Sequence, residues 1–154
     1  MRISGISFSE SQVLDRNRIA KDIADIATAR GELERLLAVD QMTFLADSRN
    51  VFAMRYLIIQ AVEALIDLCQ HMLARTRGIP CEGYIDCILK AGEHGIISVA
   101  LAERLRRLAA LCNILVHRYW SIDDARVYAE TQANLSDLTT FSEEIEALVR
   151  TLPC

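Results

Sequence analysis

Hydrophobic residues recur every three to four positions over five segments of the chain, which predicts helices rather than strands. The first two helices are predicted from about Gln12 to Val39 and from about Asp47 to Arg75. A short third helix, from about Gly83 to Glu93, precedes a fourth that runs from about Ser98 to Val116. The fifth is predicted over about residues 123–150. With short connections between them, these segments predict an all-α, five-helix, up-down bundle.

The length of the chain indicates one domain, because 154 residues are enough to bury a single core. We expect that domain over residues 12–150, with residues 1–11 as an N-terminal arm and residues 151–154 as a C-terminal tail. No stretch approaches the roughly 20 apolar residues of a membrane span, and the N-terminus lacks the pattern of a signal peptide. The sequence therefore predicts a cytoplasmic protein without a membrane segment.

The five cysteines are an odd number and include no Cys-x-x-Cys pair, which argues against a zinc site or a thioredoxin-like motif. In a reducing cytoplasm we expect free thiols. Cys69 and Cys112 lie on apolar helix faces and are predicted to be small core residues. No metal ion and no cofactor is predicted.

The second predicted helix carries two apolar stripes. The first is a core stripe from Val51 to Met72, and the second consists of Phe52, Ile59, Ile66 and Leu73. A helix that is apolar on two faces is buried on both. We therefore expect one face to fill the core and the other to bind a second copy, giving a homodimer through the long central helices.

Two carboxylates, Glu63 and Asp67, lie four residues apart on the same predicted helix and share a face. Paired carboxylates can perform acid–base chemistry. Without a third polar partner in the sequence pattern, a structural or charge-pairing role is favoured.

The net charge of −4 argues against general affinity for nucleic acids, but the charge is unevenly distributed. Residues 104–126 hold five arginines against two aspartates, and residues 127–154 hold five carboxylates against one arginine. The positive segment is compatible either with a site for an anionic ligand or with a solvated helix face.

The positive segment contains Leu-Cys-Asn-Ile-Leu-Val-His-Arg-Tyr-Trp at residues 111–120. Asn113, His117 and Tyr119 bring a carboxamide, an imidazole and a phenol together where the fourth helix ends. Histidine exchanges protons near neutral pH, and the tyrosine hydroxyl and asparagine amide can bind a phosphate or orient the imidazole. Alternatively, the histidine caps the helix, and Tyr119 and Trp120 are core aromatic residues with a polar edge.

This segment resembles the signature of HEPN-domain ribonucleases, most closely that of HepT-like toxins, which reads Arg, four residues, His, one residue, Tyr, usually with Asn after the Arg. Asn113, His117 and Tyr119 match in register, and Cys112 stands at the position of the arginine. The blocks YLIIQAVEALIDLCQHMLA, IPCEGYIDCILKAGEHGIIS and NILVHRYWSIDDARVYAETQANLSDLTTFSEEI also resemble the family. The resemblance covers roughly residues 12–150.

The resemblance implies a HEPN-type bundle that dimerises, with the two His-x-Tyr motifs facing each other across a cleft. It also implies a metal-independent endoribonuclease toxin that acts on RNA and is paired with a small nucleotidyltransferase antitoxin. In such pairs the antitoxin adenylylates the motif tyrosine, which by position is Tyr119.

Cys112 affects what the resemblance implies, because a thiol carries neither the charge nor the donor fork of a guanidinium. The neighbouring Arg118 is predicted to supply part of that cation. Three hypotheses follow: a ribonuclease toxin weakened by the loss of the arginine, a catalytically inactive HEPN module that binds a small nucleotidyltransferase, and a helical interaction domain with no site. The third predicts that His117 and Tyr119 are buried.

Overall fold

Helices account for most of the computed structural model, which describes residues 13–153. The predicted arm at residues 1–11 lies outside the described residues. Over this range the chain forms six α-helices and no strand, so the all-α prediction is confirmed. The helices are α1 (Arg16–Leu36), α2 (Gln41–Leu45), α3 (Ser48–Arg77), α4 (Tyr84–Glu93), α5 (Val99–His117) and α6 (Asp124–Thr151), with a 3-10 turn at Tyr119–Ser121.

The count differs from the predicted five because the segment between the first two long helices folds into α2. Asp40 begins this helix by accepting a hydrogen bond from the backbone N–H of Thr43 at 3.1 Å. Phe44 is fully buried and packs against Tyr128 of α6, with ring centroids 5.0 Å apart. A five-residue helix is therefore held by one cap and one buried aromatic residue.

The longest helix, α3, lies at the centre of the bundle and contacts each of the other five α-helices. Its second apolar stripe is divided. Ile66 and Leu73 are buried within this chain, whereas Phe52 is 63% exposed. Only the N-terminal part of that stripe is open to a partner, which is less than the sequence pattern predicts.

The prediction of free thiols is wrong for two of the five cysteines. Cys81 and Cys87 form a disulfide, with their Cα atoms 5.0 Å apart. The turn before α4, where Gly83 adopts a φ of +81°, brings Cys81 back beside the first turns of the helix. Cys69 and Cys112 are free and buried, as predicted.

A buried polar cluster joins α1 to α3 near the start of α1. Asp67 accepts a hydrogen bond from Nε of Arg18 at 2.8 Å, which confirms its charge-pairing role and holds its pKa at about 2. Asp22 is 6% exposed, and its Oδ2 atom has no hydrogen-bond partner. Burial and the neighbouring carboxylate of Asp67 raise the pKa of Asp22 to about 7. His71 accepts a hydrogen bond from the backbone N–H of Asp15 at 2.9 Å, and burial lowers its pKa.

The shifted pKa of Asp22 predicts how stability depends on pH. Between about pH 4 and pH 7 the folded chain keeps a proton on Asp22 that the unfolded chain releases. The free energy of unfolding therefore falls as pH rises through this window. Asp22→Asn removes this ionisation. The difference in the free energy of unfolding between the variant and the wild type should therefore be roughly 1–3 kcal/mol more favourable to the variant at pH 8 than at pH 5.

Urea unfolding of both proteins at the two pH values measures this difference, and the contribution of His71 cancels in the comparison. Asp25→Asn is the matched control, because Asp25 lies on the same helix in an ion pair with Lys21 at the surface. An equal effect of Asp22→Asn at both pH values would contradict the prediction.

None of the helices between residues 13 and 153 is long and apolar enough to cross a membrane.

Candidate active site

The predicted motif lies at the corner between α5 and α6. His117 is the last residue of α5, and the N–H of Arg118 donates to the carbonyl of Ile114 at 2.8 Å to close the helix. The 3-10 turn then follows, and the hydroxyl of Ser121 donates to the carbonyl of Arg118 at 3.0 Å. Asp123 begins α6 by accepting hydrogen bonds from two backbone N–H groups. These local contacts set the path of the chain around the motif.

The side chains of the motif are open to solvent. His117 and Arg118 are exposed, Tyr119 is 62% exposed and Trp120 is 71% exposed. Tyr119 and Trp120 contact each other edge to face, with centroids 5.3 Å apart. In the described part of the chain, the side chains of His117, Arg118 and Tyr119 make no hydrogen bond or ion pair. The hypothesis of a bundle with both residues buried is therefore wrong.

Asn113 is partly buried and lies one turn before His117, on the same side of α5. Its amide is therefore placed to approach the imidazole or a ligand bound there. No hydrogen bond joins the two side chains in the described part of the chain, so a joint role stays a prediction.

Cys112, at the position of the family arginine, is fully buried. Burial raises the pKa of its thiol to about 12, so the sulfur remains protonated and unreactive. Tyr84 of α4 lies beside the thiol, and its hydroxyl donates a hydrogen bond to the carboxylate of Glu63 on α3. Burial and this carboxylate raise the pKa of the Tyr84 hydroxyl. The position of the arginine is thus occupied by a buried, neutral thiol, and the nearest acidic group is the exposed carboxylate of Glu63, bound to Tyr84.

The sequence pattern paired Glu63 with Asp67, but the structure separates them. Asp67 binds Arg18 of α1, and Glu63 binds Tyr84 of α4. Nothing in the sequence pattern marked Tyr84, because its proximity to Cys112 depends on how α4 packs against α3 and α5.

A second contact missed at the sequence level fixes the start of α6. Arg55 of α3 binds Asp124 through two hydrogen bonds of 2.9 and 2.7 Å, and both side chains are about three-quarters buried. Two parallel hydrogen bonds between a guanidinium and a carboxylate fix the relative orientation of the two side chains and also stabilise the contact. They hold the corner that carries Tyr119 against the N-terminal half of α3.

A cavity of about 410 Å³ lies between α5 and the start of α6. Its walls combine aliphatic and charged side chains, and Asn113, His117 and Tyr119 are not among them. The lining residues are Arg106, Arg107, Ala110, Leu111, Ile114, Ser121, Ile122, Asp123, Arg126, Val127 and Glu130. The predicted residues therefore do not line this cavity, and their alignment in one cleft stays a prediction.

No group of three or more potential metal ligands lies close enough together to bind a metal ion anywhere in residues 13–153. The chemistry available at the corner is that of an imidazole, a phenol, a carboxamide and a guanidinium. These groups can transfer protons and bind anions.

Comparison with known protein families identifies the class to which this fold and motif belong. The model of the family described as Ribonuclease HepT-like matches residues 26–145. The chain therefore belongs to the HepT-like ribonuclease family. A comparison with curated proteins finds no significant match.

Among solved structures, the chain is similar to YutE, a cytosolic protein of unknown function from Bacillus subtilis. The TM-score is 0.76 at 18% identity, over 90% of this chain and 92% of that one. It is also similar to a tri-AMPylated HEPN toxin of Shewanella oneidensis in complex with an MNT antitoxin. There the TM-score is 0.77 at 22% identity, over 84% of this chain and 97% of the toxin. A toxin–antitoxin structure with AMP-PNP gives a TM-score of 0.75 at 21% identity, over 83% and 97% of the two chains. At these identities the similarity establishes the fold.

Proposed function

We propose that the chain is the toxin of a toxin–antitoxin pair and cleaves RNA without a metal ion, at a rate lowered by the loss of the motif arginine. The observation that carries this proposal is that His117, at the end of α5 in a chain of the HepT-like ribonuclease family, is exposed and makes no hydrogen bond or ion pair with residues 13–153. A histidine with a structural role would have a partner or be buried.

The proposed reaction needs a base and a site for negative charge. His117 takes the proton of the ribose 2′-hydroxyl, whose oxygen forms a bond to phosphorus while the bond to the 5′-oxygen breaks. The leaving 5′-oxygen takes a proton from water, and a 2′,3′-cyclic phosphate remains. Tyr119 and Asn113 donate hydrogen bonds to the phosphate oxygens, and Arg118 supplies the nearest positive charge. The test is cleavage of a mixed RNA substrate by the purified chain in the presence of a chelator.

The second candidate is a HEPN module that no longer cleaves RNA but still binds its nucleotidyltransferase partner. The buried, neutral Cys112 favours it, because this residue contributes no charge to bind a phosphate. No cleavage of any RNA by a chain that still binds a nucleotidyltransferase would favour this candidate over the ribonuclease.

For the partner, we propose a small nucleotidyltransferase antitoxin, supported by the similarity to a HEPN toxin in complex with an MNT antitoxin.

We also propose a cytoplasmic location for this chain. The similar YutE of Bacillus subtilis is cytosolic, which supports this proposal.

Tyr119 is the proposed acceptor for adenylylation by that partner. Its hydroxyl is exposed and makes no hydrogen bond to any described residue. In the reaction the phenol oxygen bonds to the α-phosphorus of ATP, pyrophosphate leaves, and the phenol proton is released. The product carries a negative charge where the RNA phosphate must bind, so modification should block cleavage by repulsion.

We expect that co-expression with the neighbouring nucleotidyltransferase adds adenylyl mass to the peptide containing Tyr119. Peptide mass spectrometry locates the added mass, and Tyr119→Phe should remove it. Tyr56→Phe is the matched control, because Tyr56 is 66% exposed on α3. Added mass on another residue, with Tyr119 unmodified, would refute this assignment.

We further propose that the chain forms a homodimer through the N-terminal half of α3. Phe52 and Tyr56 are 63% and 66% exposed and lie four residues apart on one face of this helix. Arg55, between them in the sequence, binds Asp124 and so places this face next to the corner that carries the motif. A two-fold contact here would cover the apolar side chains and bring two motifs close together.

The wild type is expected to have twice the mass of the chain in light scattering at micromolar concentration. Phe52→Asp combined with Tyr56→Asp should give a folded monomer, because each protomer would bury two unpaired charges. Val99→Asp is the control, since Val99 is 67% exposed at the opposite end of α5. A monomeric wild type would disprove the dimer.

A further inference from the structure

We propose that the cavity between α5 and α6 binds one nucleotide of single-stranded RNA, next to the nucleotide whose 2′-hydroxyl approaches His117. This inference rests on the proposed function, because it assigns a place to another part of the same substrate. The cavity volume of about 410 Å³ falls within the range of about 300–1,000 Å³ found for small-ligand sites.

The position of the cavity relative to His117 follows from the helix. Arg107, Leu111 and Ile114 all line the cavity, and their spacing of four and three residues places them on one face of α5. The same row continues to His117 and Arg118. At about 1.5 Å per residue, His117 lies about 4.5 Å beyond Ile114 along the helix axis. A ligand in the cavity and a phosphate at His117 therefore occupy neighbouring places on one face.

The floor of the cavity suits a nucleobase. Leu111 and Ile114 of α5 line it together with Ile122, which precedes α6, and Val127 in the first turn of α6. These aliphatic side chains offer an apolar surface on which the flat face of any base can be removed from water. Since they carry no hydrogen-bonding groups, we expect the site to accept different bases rather than to select one.

The rim of the cavity suits a phosphate. Arg126 pairs with Glu130, and the carboxylate of Asp123 is engaged by backbone N–H groups at the start of α6. Both carboxylates of the cavity therefore already have partners. Arg107, by contrast, forms no ion pair or hydrogen bond with any residue from 13 to 153. A guanidinium matches a phosphate with two parallel hydrogen bonds, so Arg107 is the group we assign to the RNA backbone.

An acidic surface of the nucleotidyltransferase is the competing occupant of this cationic rim. A nucleotide is favoured because the site is concave and has an aliphatic floor, and because the row of lining residues on α5 continues to His117. A flat protein surface would use the rim and leave the floor empty. The two occupants therefore differ in whether Ile114 and Ile122 respond to the ligand.

The first measurement is the binding of a fluorescent, 2′-O-methylated RNA hexanucleotide of mixed sequence, which resists cleavage, followed by anisotropy over a range of salt concentrations. Arg107→Ala should raise Kd by about tenfold, as expected for one charge-assisted hydrogen bond, and lower the salt slope by about one unit. Arg150→Ala is the matched control, because it removes the same charge from the far end of α6 and should leave Kd unchanged.

The second measurement is methyl NMR of the wild-type chain during titration with the same RNA. The methyl signals of Ile114 and Ile122 should shift, whereas that of Ile26, which is 1% exposed in the core, should not. If RNA binds and is cleaved while these methyls and the Arg107→Ala variant show no effect, the nucleotide site is wrong and the proposed function stands. If these methyls respond to the nucleotidyltransferase and not to RNA, the cavity is a protein-binding surface. If no RNA is bound or cleaved at all, the proposed function fails as well.

Discussion

Cys112→Arg should raise metal-independent RNA cleavage by about 10²- to 10³-fold, the effect typical of one preorganised donor to the charge of a transition state. The change restores a guanidinium at the motif position that the family signature gives to arginine. It is the largest gain of function that we expect from a single substitution in this chain. Initial rates of cleavage of a mixed RNA substrate, measured in a chelator, give the comparison with the wild type.

Placing an arginine at position 112 also costs energy, because of where this side chain lies. Cys112 is fully buried, so an arginine must either leave the core or find a partner within it. The carboxylate of Glu63, which binds the Tyr84 hydroxyl and acts electrostatically on Cys112, is the nearest candidate for that partner. We expect the long arginine side chain to pair with Glu63 in place of the tyrosine hydroxyl, with its remaining N–H groups free to bind a phosphate.

Cys112→Met is the control, because it adds length at the same position without a charge. It should leave the cleavage rate at the level of the wild type. Thermal unfolding of each variant establishes that the helices remain intact. If the wild type already cleaves RNA efficiently in chelator and a folded Cys112→Arg variant is no faster, the argument from the missing guanidinium is wrong.

The long helices could be predicted from the sequence because each repeats an apolar face over several turns. The signal is strongest in α3, α5 and α6, where burial follows the three-to-four-residue spacing. The ends of the helices also follow from single residues, as with Ser98, which caps α5 by accepting a hydrogen bond from the backbone N–H of Leu101. By contrast, α2 is too short to show a period, and its formation depends on a pocket for Phe44.

The candidate site could be predicted only in part. The sequence spacing places Asn113 one turn before His117, and the helix end leaves Tyr119 exposed, as the structure shows. The proximity of Cys112, Tyr84 and Glu63 depends on how three helices pack, which no local pattern reports. The Cys81–Cys87 disulfide depends on the path of one turn. The cavity depends on how α5 and α6 are placed relative to each other.

His117→Ala should lower RNA cleavage by about 10²- to 10⁴-fold, the usual contribution of a positioned general base or acid. The imidazole has no partner in the described part of the structure, so its removal should leave stability and RNA binding close to those of the wild type. Tyr119→Phe should have a smaller effect on the rate, because it removes one hydrogen bond to the phosphate and leaves the base in place.

His94→Ala is the matched control for His117, since His94 also lies where a helix ends, directly after α4, and is not part of the motif. It should cleave RNA at the rate of the wild type. The decisive comparison is the cleavage rate of the two variants under saturating RNA in chelator, where differences in binding no longer contribute. Equal rates for His117→Ala and His94→Ala would remove His117 from the reaction. An activity that requires an added metal ion would exclude the metal-independent mechanism.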